Sequence, residues 1–519
     1  MVFSSNQFLY FFLTITLVGY FLLHRWRRWS NLFLTLVSLG FYAWGQPKFV
    51  AVMVASIACN WLLALWIDRE KRKPEHGHAK LALTLAIVLN LGLLGVFKYL
   101  SWLLDNVNAW FKLSFPVPEI ALPIGISFFT FQAMSYVIDV YRGDGKVQRS
   151  FVNVCLYISF FPQLIAGPIV RYQTIADEIE NRRENLPDFV EGVHRFMLGF
   201  CKKTILANNL GLLVDTLFGL DHANLSVGGA WIAAAAYLMQ VYYDFSGYSD
   251  MAIGLGRMFG FHFLENFRFP FIAKSVAGFW KRWHISMTSW FQDYLYIPLG
   301  GSRVKTPRLL FNMFMVWFCT GLWHGAAWTY VLWGVGFFVM LVIERFTGLG
   351  KWMEKHPVGH LYAMLMVVFF TVMIRCDSLP HAWTMYGSLL GVNGAALWNS
   401  VTSVLCREYG WFFLAALVCG LPVRDFIVGK LRVNENLVRI VGEYGEDHFA
   451  WGKTIWDIST IALLVKPGWT RSGLTPSPII TDQLTYSRDI TRHLIRNVAS
   501  LDRDAIFRDL FRKLAGVKD

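Results

Sequence analysis

Long apolar runs alternate with short polar segments from the N-terminus as far as Leu421. A transmembrane helix needs about 20 mostly apolar residues. The runs lack the apolar-polar alternation of barrel strands, so helices are the only spanning element that this pattern allows. The pattern therefore predicts an all-α polytopic membrane protein. The predicted helical segments are Phe8–Leu23, Leu32–Trp44, Phe49–Trp66, Leu81–Leu104, Ile120–Val140, Phe189–Phe218, Ala230–Tyr243, Gly247–Phe263, Leu309–Ile343, Leu361–Ile374 and Trp411–Leu421.

Lys and Arg collect in every second loop between the first six segments. The loop after the first segment holds Arg25, Arg27 and Arg28, whereas the intervening loops hold only Lys48 in one case and Lys112 in the other. Positive residues mark the cytoplasmic side of a membrane, which predicts a periplasmic N-terminus. The net charge of +13 fits attraction to an anionic leaflet, so we expect membrane lipid and no nucleic acid as a partner.

Two stretches depart from the spanning pattern. Phe151–Ala166 is apolar but short, and Pro162 interrupts it. We expect it to be a re-entrant segment. Ile272–Gly300 mixes Trp and Tyr with basic residues at helical spacing, which predicts a helix lying at the membrane interface. Lys98, near the outer end of the fourth segment, is interpreted as a snorkelling side chain.

The character of the chain changes near residue 429. We predict a membrane domain over residues 1–428 and a polar, cytoplasmic C-terminal extension over residues 429–519. Within the extension, Thr485–Leu514 has apolar residues at near-helical spacing. This spacing predicts an amphipathic helix in two pieces, packed on the cytoplasmic face of the protein or on the membrane surface.

The candidate chemistry begins with His324. It lies in Leu309–Ile343, a run without Asp, Glu, Lys or Arg, and Gly321 and Gly325 flank it. The run is long enough for one or two membrane passes, which places His324 deep in apolar surroundings or at a break between helices. An ionisable side chain inside a membrane is costly, so it is a functional candidate by default. The flanking glycines allow a substrate or another backbone to approach closely. The competing interpretation is a structural histidine bonded to a backbone carbonyl.

His284 is the second candidate, in the aromatic and basic segment Phe279–Ser286. Alone, such a histidine is more often a hydrogen-bonded structural residue. Paired with His324, it becomes a candidate for acid–base chemistry, because one neutral imidazole can take a proton from a hydroxyl while a second orients or polarises the reacting groups.

Charged residues near the inner membrane surface are candidates for substrate binding. Lys281, Arg282 and Arg303 are placed to hold the phosphates of a nucleotide-bearing donor, although attraction to the anionic leaflet is the usual reason for basic residues at this position. Asp244 and Asp250 are candidates for lining a tunnel, with helix capping and turn bonding as the alternative.

Several classes of site are not indicated. The seven cysteines are scattered, with no Cys-x-x-Cys pair, and no metal-ligand spacing occurs, so we predict no metal centre. The chain has no Gly-rich phosphate loop and no Ser-His-Asp order. These absences argue against a pump of the P-loop kind and against a soluble hydrolase.

Five motifs together resemble those of the membrane-bound O-acyltransferase family. They are Phe160–Arg171, Tyr243–Gly256, Phe279–Ser286, Asp293–Gly301 and Gly321–Gly325. The resemblance implies a helical disc with roughly 10–12 transmembrane or re-entrant helices around a central tunnel, a count that fits helices of membrane length. It also implies that His324 is the essential histidine and His284 the family's second characteristic position, with Trp283 and Trp323 beside them as substrate-binding residues.

The resemblance further implies an activity. A cytoplasmic thioester, acetyl-CoA or another acyl donor, would supply acyl groups for O-acetylation of an exopolysaccharide across the bacterial inner membrane, through a periplasmic acetyltransferase partner and without a permanently bound cofactor. Two alternatives stay open. One is D-alanyl or other acyl transfer to a cell-envelope polymer. The other is a polytopic transporter that uses intramembrane histidines as a proton relay.

Overall fold

The computed structural model describes residues 2–73, 77–221 and 224–423, together with the backbone of four short strands between residues 470 and 501. Residues Met1–Val423 form one compact unit and Arg424–Asp519 a second. All the regular secondary structure among the described residues of the first unit is helical, in agreement with the predicted all-α class.

The helices of the first unit follow one another with short connections. They are α1 (Gln7–Leu23), α2 (Arg27–Gly45), α3 (Pro47–Lys71), α4 (Ala79–Phe111), α5 (Ile126–Arg142), α6 (Phe151–Ser159), α7 (Phe161–Leu164), α8 (Tyr172–Asn181), α9 (Leu186–Cys201), α10 (Asn208–Phe218), α11 (Val227–Met258), α12 (Val276–Trp280), α13 (Ile285–Phe291), α14 (Thr306–His324), α15 (Trp328–Phe346), α16 (Leu349–Lys355), α17 (Val358–Arg375), α18 (Leu379–Leu390) and α19 (Ser400–Cys419). Wider π-helical turns occur at Gln7–Leu13 in α1, Gly95–Tyr99 in α4, Lys202–Ala207 after α9 and Gln292–Tyr296 after α13.

Five of the described helices are long and apolar enough to cross a membrane by length and composition. They are α3, α4, α15, α17 and α19, while α1 is apolar but shorter. Their outward faces carry many exposed large apolar side chains, the surface expected of helices that face lipid. The chain is therefore a multi-pass membrane protein. The predicted total of ten to twelve helices stays a prediction.

Several predicted segments have different boundaries in the structure. Ala230–Tyr243 and most of Gly247–Phe263 are parts of one helix, α11, which runs for 32 residues and ends at Met258. Leu309–Ile343 forms two helices, α14 and α15, which break between His324 and Trp328. The prediction of a single interfacial helix within Ile272–Gly300 is wrong. His284 has a left-handed backbone (φ 46°), which separates the two short helices α12 and α13.

Glycines in the second half of α11 let α9 pack closely against it. A Cβ atom on Gly254 would lie 2.5 Å from the Gly192 carbonyl oxygen, and one on Gly192 would lie 2.6 Å from the Gly254 carbonyl oxygen. Gly199 and Gly247 make the same kind of contact two turns away along α9. Small residues that let backbones touch are how helices associate where water does not drive packing.

The second unit contains two antiparallel strand pairs. Strand β1 (Thr470–Pro476) pairs with β4 (Leu494–Leu501), and β2 (Pro478–Ile480) pairs with β3 (Tyr486–Arg488). The amphipathic helix predicted over Thr485–Leu514 is thus wrong at β3 and β4, since an apolar spacing read over so few residues does not separate helix from strand. The rest of that predicted helix, and most of the predicted extension, lie outside the described residues.

Replacing Gly192 with alanine is expected to destabilise the protein, because the added methyl group must push α9 away from α11. Overpacking of this kind costs about 1–3 kcal/mol. The measurement is the thermal unfolding midpoint of the detergent-purified protein. Gly92→Ala in α4 is the matched control, since no described atom of a neighbouring element lies within 4 Å of its added Cβ. Equal midpoints for the two variants would contradict the close contact.

Candidate active site

His324 is the last residue of α14 and lies at the break before α15. Both flanking glycines are required there. A Cβ atom on Gly321 would lie 2.5 Å from the Tyr330 carbonyl oxygen, and one on Gly325 would collide with the Tyr330 ring. The first turn of α15 therefore closes directly on the end of α14. This is the close backbone approach that the two glycines predicted.

The His324 imidazole lies between two indoles. Its ring centroid is 5.0 Å from that of Trp323 and 5.0 Å from that of Trp333, both edge to face. Edge-to-face packing at such distances fixes the orientation of an aromatic ring. No hydrogen bond joins the His324 ring to any described residue, so the alternative of a carbonyl-bonded structural histidine finds no support.

The ring of His324 faces an internal cavity of about 390 Å³. Aromatic and aliphatic side chains from α5, α11, α12, α14, α15 and α17 form most of its wall, and polar groups are few. The wall residues are Phe128, Ala166, Leu238, Gln240, Val241, Asp244, Phe245, Tyr248, Phe279, Trp280, Trp283, Trp323, His324, Trp333, Phe337, Val367, Thr371 and Ile374. A mostly apolar concave site with a few convergent polar groups is the usual form of a small-molecule binding site.

His284 is fully buried and is not part of the cavity wall. Its ring packs edge to face on Phe245, with centroids 4.6 Å apart, and lies 5.7 Å from the Trp323 ring. Because Trp323 also contacts His324, one indole touches both imidazoles. The two histidines predicted to work together therefore belong to one aromatic cluster.

Asn266 orients the His284 ring, a role that the sequence analysis missed. Its Oδ1 accepts from the backbone N–H and the hydroxyl of Ser286, and its Nδ2 donates to Ser249 Oγ. This arrangement assigns the amide oxygen to the side that faces His284 Nδ1, 3.2 Å away. His284 Nδ1 must then carry the proton and donate it, which leaves Nε2 unprotonated. Among the described residues Nε2 has no hydrogen-bond partner.

The basic candidates lie outside the cavity wall. Lys281 and Arg303 are exposed, and Arg282 donates to the Arg268 carbonyl oxygen at 3.3 Å. By contrast, the two tryptophans named with the histidines, Trp283 and Trp323, are both in the wall. The structure thus separates the predicted substrate-binding residues into an aromatic set at the cavity and a cationic set away from it.

The two aspartates of α11 have different surroundings. Asp244 is in the cavity wall and forms an ion pair with Lys203. Asp250 is buried away from the wall, with its oxygens 2.6 Å from Arg195 and 2.6 Å from Lys202. A buried carboxylate needs such compensation. Asp250 therefore links α11 to α9 and the turn that follows it.

Lys98 does not snorkel, which corrects the sequence-based interpretation. Its side chain turns inward from α4, where Nζ donates to the Trp323 carbonyl oxygen and, at 3.1 Å, to Ser127 Oγ. The neighbouring Tyr99 donates its hydroxyl to the Leu322 carbonyl oxygen at 2.8 Å. Local sequence contained one signal for this role, a single lysine inside an otherwise uncharged apolar segment.

Comparisons with known proteins show the family that the chain is similar to. The model of the MBOAT, membrane-bound O-acyltransferase family, matches residues 80–382. A probable alginate O-acetylase of Pseudomonas putida is 43% identical over 396 residues, which are 75% of this chain and 80% of the relative. A peptidoglycan O-acetyltransferase of Helicobacter pylori is 33% identical over 432 residues, 76% of this chain and 81% of the relative. A teichoic acid D-alanyltransferase of Bacillus subtilis is 28% identical over 246 residues, 45% of this chain and 61% of the relative.

The family match includes both histidines, the Asn266 cluster and the lysine of α4. On this match and the extent of the first two similarities, the chain belongs to the membrane-bound O-acyltransferase family and is an O-acyltransferase.

Proposed function

We propose that this protein is an O-acetyltransferase of the bacterial inner membrane that serves O-acetylation of an alginate-like exopolysaccharide. Its donor would be a cytoplasmic thioester, acetyl-CoA or another acyl carrier, and it would work with a periplasmic acetyltransferase or polysaccharide-modification partner. The similarity to probable alginate O-acetylases over most of both chains supports the substrate class. The observation that carries the chemistry is the His324 ring, which has no hydrogen bond to the part of the chain that the structure describes and faces a largely aromatic cavity.

His324 is the general base in this proposal. Its unprotonated ring nitrogen takes the proton of the acceptor hydroxyl as the hydroxyl oxygen attacks the thioester carbonyl. A C–O bond forms, the C–S bond breaks, and the leaving thiolate receives the proton back. Such acid–base help contributes about 10²–10⁴-fold in rate.

His284 supports the base. The two roles open to it were assistance to His324 and stabilisation of the thioester oxyanion. Its hydrogen bond to Asn266 favours the first role, because Nε2 in that tautomer is an acceptor and would repel an oxyanion. Trp323, in contact with both imidazoles, transmits the orientation of His284 to His324.

The other predicted site residues divide by their distance from the cavity. Trp283, Trp323 and Asp244 are proposed to contact the acyl part of the donor or the acceptor, since they are in the cavity wall. Lys281, Arg282 and Arg303 are proposed to meet phosphates at the inner membrane face, outside the wall. Asp250 is proposed to act indirectly, through the ion pairs that hold α9 against α11.

The remaining proposals concern topology. We propose a periplasmic N-terminus, a membrane domain over residues 1–428 and a cytoplasmic extension over residues 429–519. The basic loops after α1, α3 and α5 support this orientation, since they follow alternate apolar segments.

Replacing His324 with alanine is expected to lower polymer O-acetylation by about 10²-fold or more, the contribution of a lost general base. The measurement is the O-acetyl content of the exopolysaccharide from cells that carry each variant. An immunoblot of the membrane fraction must show equal amounts of protein. His356→Ala is the matched control, since that histidine is partly exposed and its ring bonds the Trp352 carbonyl oxygen of the adjoining helix α16. Normal acetylation by the His324 variant would remove the mechanism.

Replacing Asn266 with leucine is expected to lower turnover by about 10²-fold, because His284 loses the bond that selects its tautomer. The effect should vanish in a His284→Ala background, since two residues that act as one unit are not additive. The measurement is acetyl transfer by the purified protein in lipid nanodiscs. Asn209→Leu is the control, since that asparagine is partly exposed and its Nδ2 donates to the Ile205 carbonyl oxygen within the same helical stretch. Additive losses would show that Asn266 does not act through His284.

The identity of the acyl donor distinguishes the proposed acetyl transfer from the two alternative functions. Purified protein offered radiolabelled acetyl-CoA is expected to release coenzyme A and label the acceptor. Turnover confined to a D-alanyl carrier-protein thioester would favour the teichoic acid alternative, which the more distant D-alanyltransferase similarity represents. A pH-driven solute flux through vesicles, without turnover of either thioester, would favour the transporter.

A further inference from the structure

The end of α14 is joined to α4 by two consecutive residues. Tyr99 donates its hydroxyl to the Leu322 carbonyl oxygen at 2.8 Å, and Lys98 Nζ donates to the carbonyl oxygen of the next residue, Trp323. His324 follows directly in the chain. The last carbonyls of a helix lack partners within the helix. Here two side chains from another helix supply donors to two of them.

The local backbone of α4 makes this double contact possible. Consecutive residues of a regular α-helix point about 100° apart, so they seldom reach adjacent targets. Residues Gly95–Tyr99 form a wide π-helical turn, and Tyr99 departs from regular helix with φ −114° and ψ −19°. Such turns are found disproportionately at functional sites.

The free-energy cost of placing the charged Lys98 side chain in these surroundings is high. Lys98 lies within a helix long and apolar enough to span a membrane, and it forms no ion pair with any described carboxylate. A lysine that snorkelled to the interface would keep its hydration. Lys98 instead offsets its charge with the Trp323 carbonyl, Ser127 Oγ and the negative end of the α14 helix dipole. Its Nζ also lies 5.9 Å from the centroid of the Trp323 ring.

We infer that Lys98 and Tyr99 are positioning residues for the reaction. They anchor the two peptide groups that precede His324, and thereby hold its imidazole between Trp323 and Trp333 and towards the cavity. Neither residue is in the cavity wall, so neither is placed to contact substrate. Ionisable groups kept inside a membrane at such cost generally have functional roles.

The activity test, which rests on the proposed acetyl transfer, uses Lys98→Met, Lys98→Arg and Tyr99→Phe in nanodiscs. Misplacement of a reacting group by about 1 Å can cost 10²-fold. We expect kcat to fall about 10²-fold in Lys98→Met and about 10-fold in Tyr99→Phe. The KM for the donor should stay within about twofold of the wild-type value, because the variants do not change contacts that bind the donor equally in the ground state and the transition state. Lys98→Arg, which keeps a cationic donor, should recover part of kcat.

Measurements of the unfolding midpoint distinguish a positioning role of Lys98 from a role in stabilising the fold. Lys98→Met removes the cost of a buried charge but leaves the Trp323 carbonyl oxygen without this donor, so the two effects partly offset each other and the unfolding midpoint should stay above the assay temperature. Lys80→Met, at the exposed start of α4, and Tyr10→Phe, on an exposed face of α1, are the matched controls. A wild-type kcat in Lys98→Met would overturn the inference. A loss of kcat that arises only because a lowered midpoint leaves the protein partly unfolded at the assay temperature would overturn it as well.

A second readout does not depend on the proposed donor. Diethylpyrocarbonate modifies accessible imidazoles, and mass spectrometry can follow His324 and His356 in the same sample. Lys98→Met should change the modification rate of His324 at least about fivefold, a shift equivalent to about 1 kcal/mol, and leave His356 unchanged. An unchanged His324 rate would refute positioning by Lys98. Changed rates in a protein that does not turn over acetyl-CoA would refute only the acetyl donor.

Discussion

The unpaired carbonyls at the end of α14 impose the constraint on which the site depends. A helix end that is covered by protein has carbonyl groups where water cannot satisfy them. The chain stops α14 there because Gly325 adopts an extended backbone and Tyr330 closes over it. Lys98 and Tyr99 then supply the donors that water would supply elsewhere. The break is thus stabilised from outside α14, and the imidazole at its tip gains a defined position without a hydrogen bond of its own.

That free imidazole distinguishes His324 from His284. The ring of His284 is held through Nδ1 by Asn266, which is itself held by Ser249 and Ser286. Among the described residues, the direct contacts of the His324 ring are aromatic packing on Trp323 and Trp333. A base must leave its lone pair available, so packing is the better restraint for the residue that faces the cavity. Hydrogen bonding is the better restraint for the residue behind it, because it selects one tautomer.

Local patterns predicted what depends on local physics. Apolar runs gave the helical class, and the glycines beside His324 indicated the close approach at the helix break, since both depend on residue type and spacing. The charged residue Asp244 interrupts an apolar run, and this interruption was wrongly interpreted as a helix boundary within α11. The partner that compensates Asp244 is Lys203, which lies on another segment. Asn266 and Lys98 were missed or misinterpreted for the same reason. Each is explained only by groups distant in sequence, and local periodicity contains no information about them.

The separation of charge from the cavity also bears on how a donor would be selected. Asp244 is the only charged side chain in the described cavity wall, and Lys203 compensates it. A wall of this kind suits an uncharged acyl arm, because burying phosphate there without cations would be costly. The exposed Lys281 and Arg303 lie where a charged group can stay hydrated. Under the proposed function, discrimination between coenzyme A and a carrier protein would therefore occur outside the cavity, whereas the cavity itself would select the size of the acyl group.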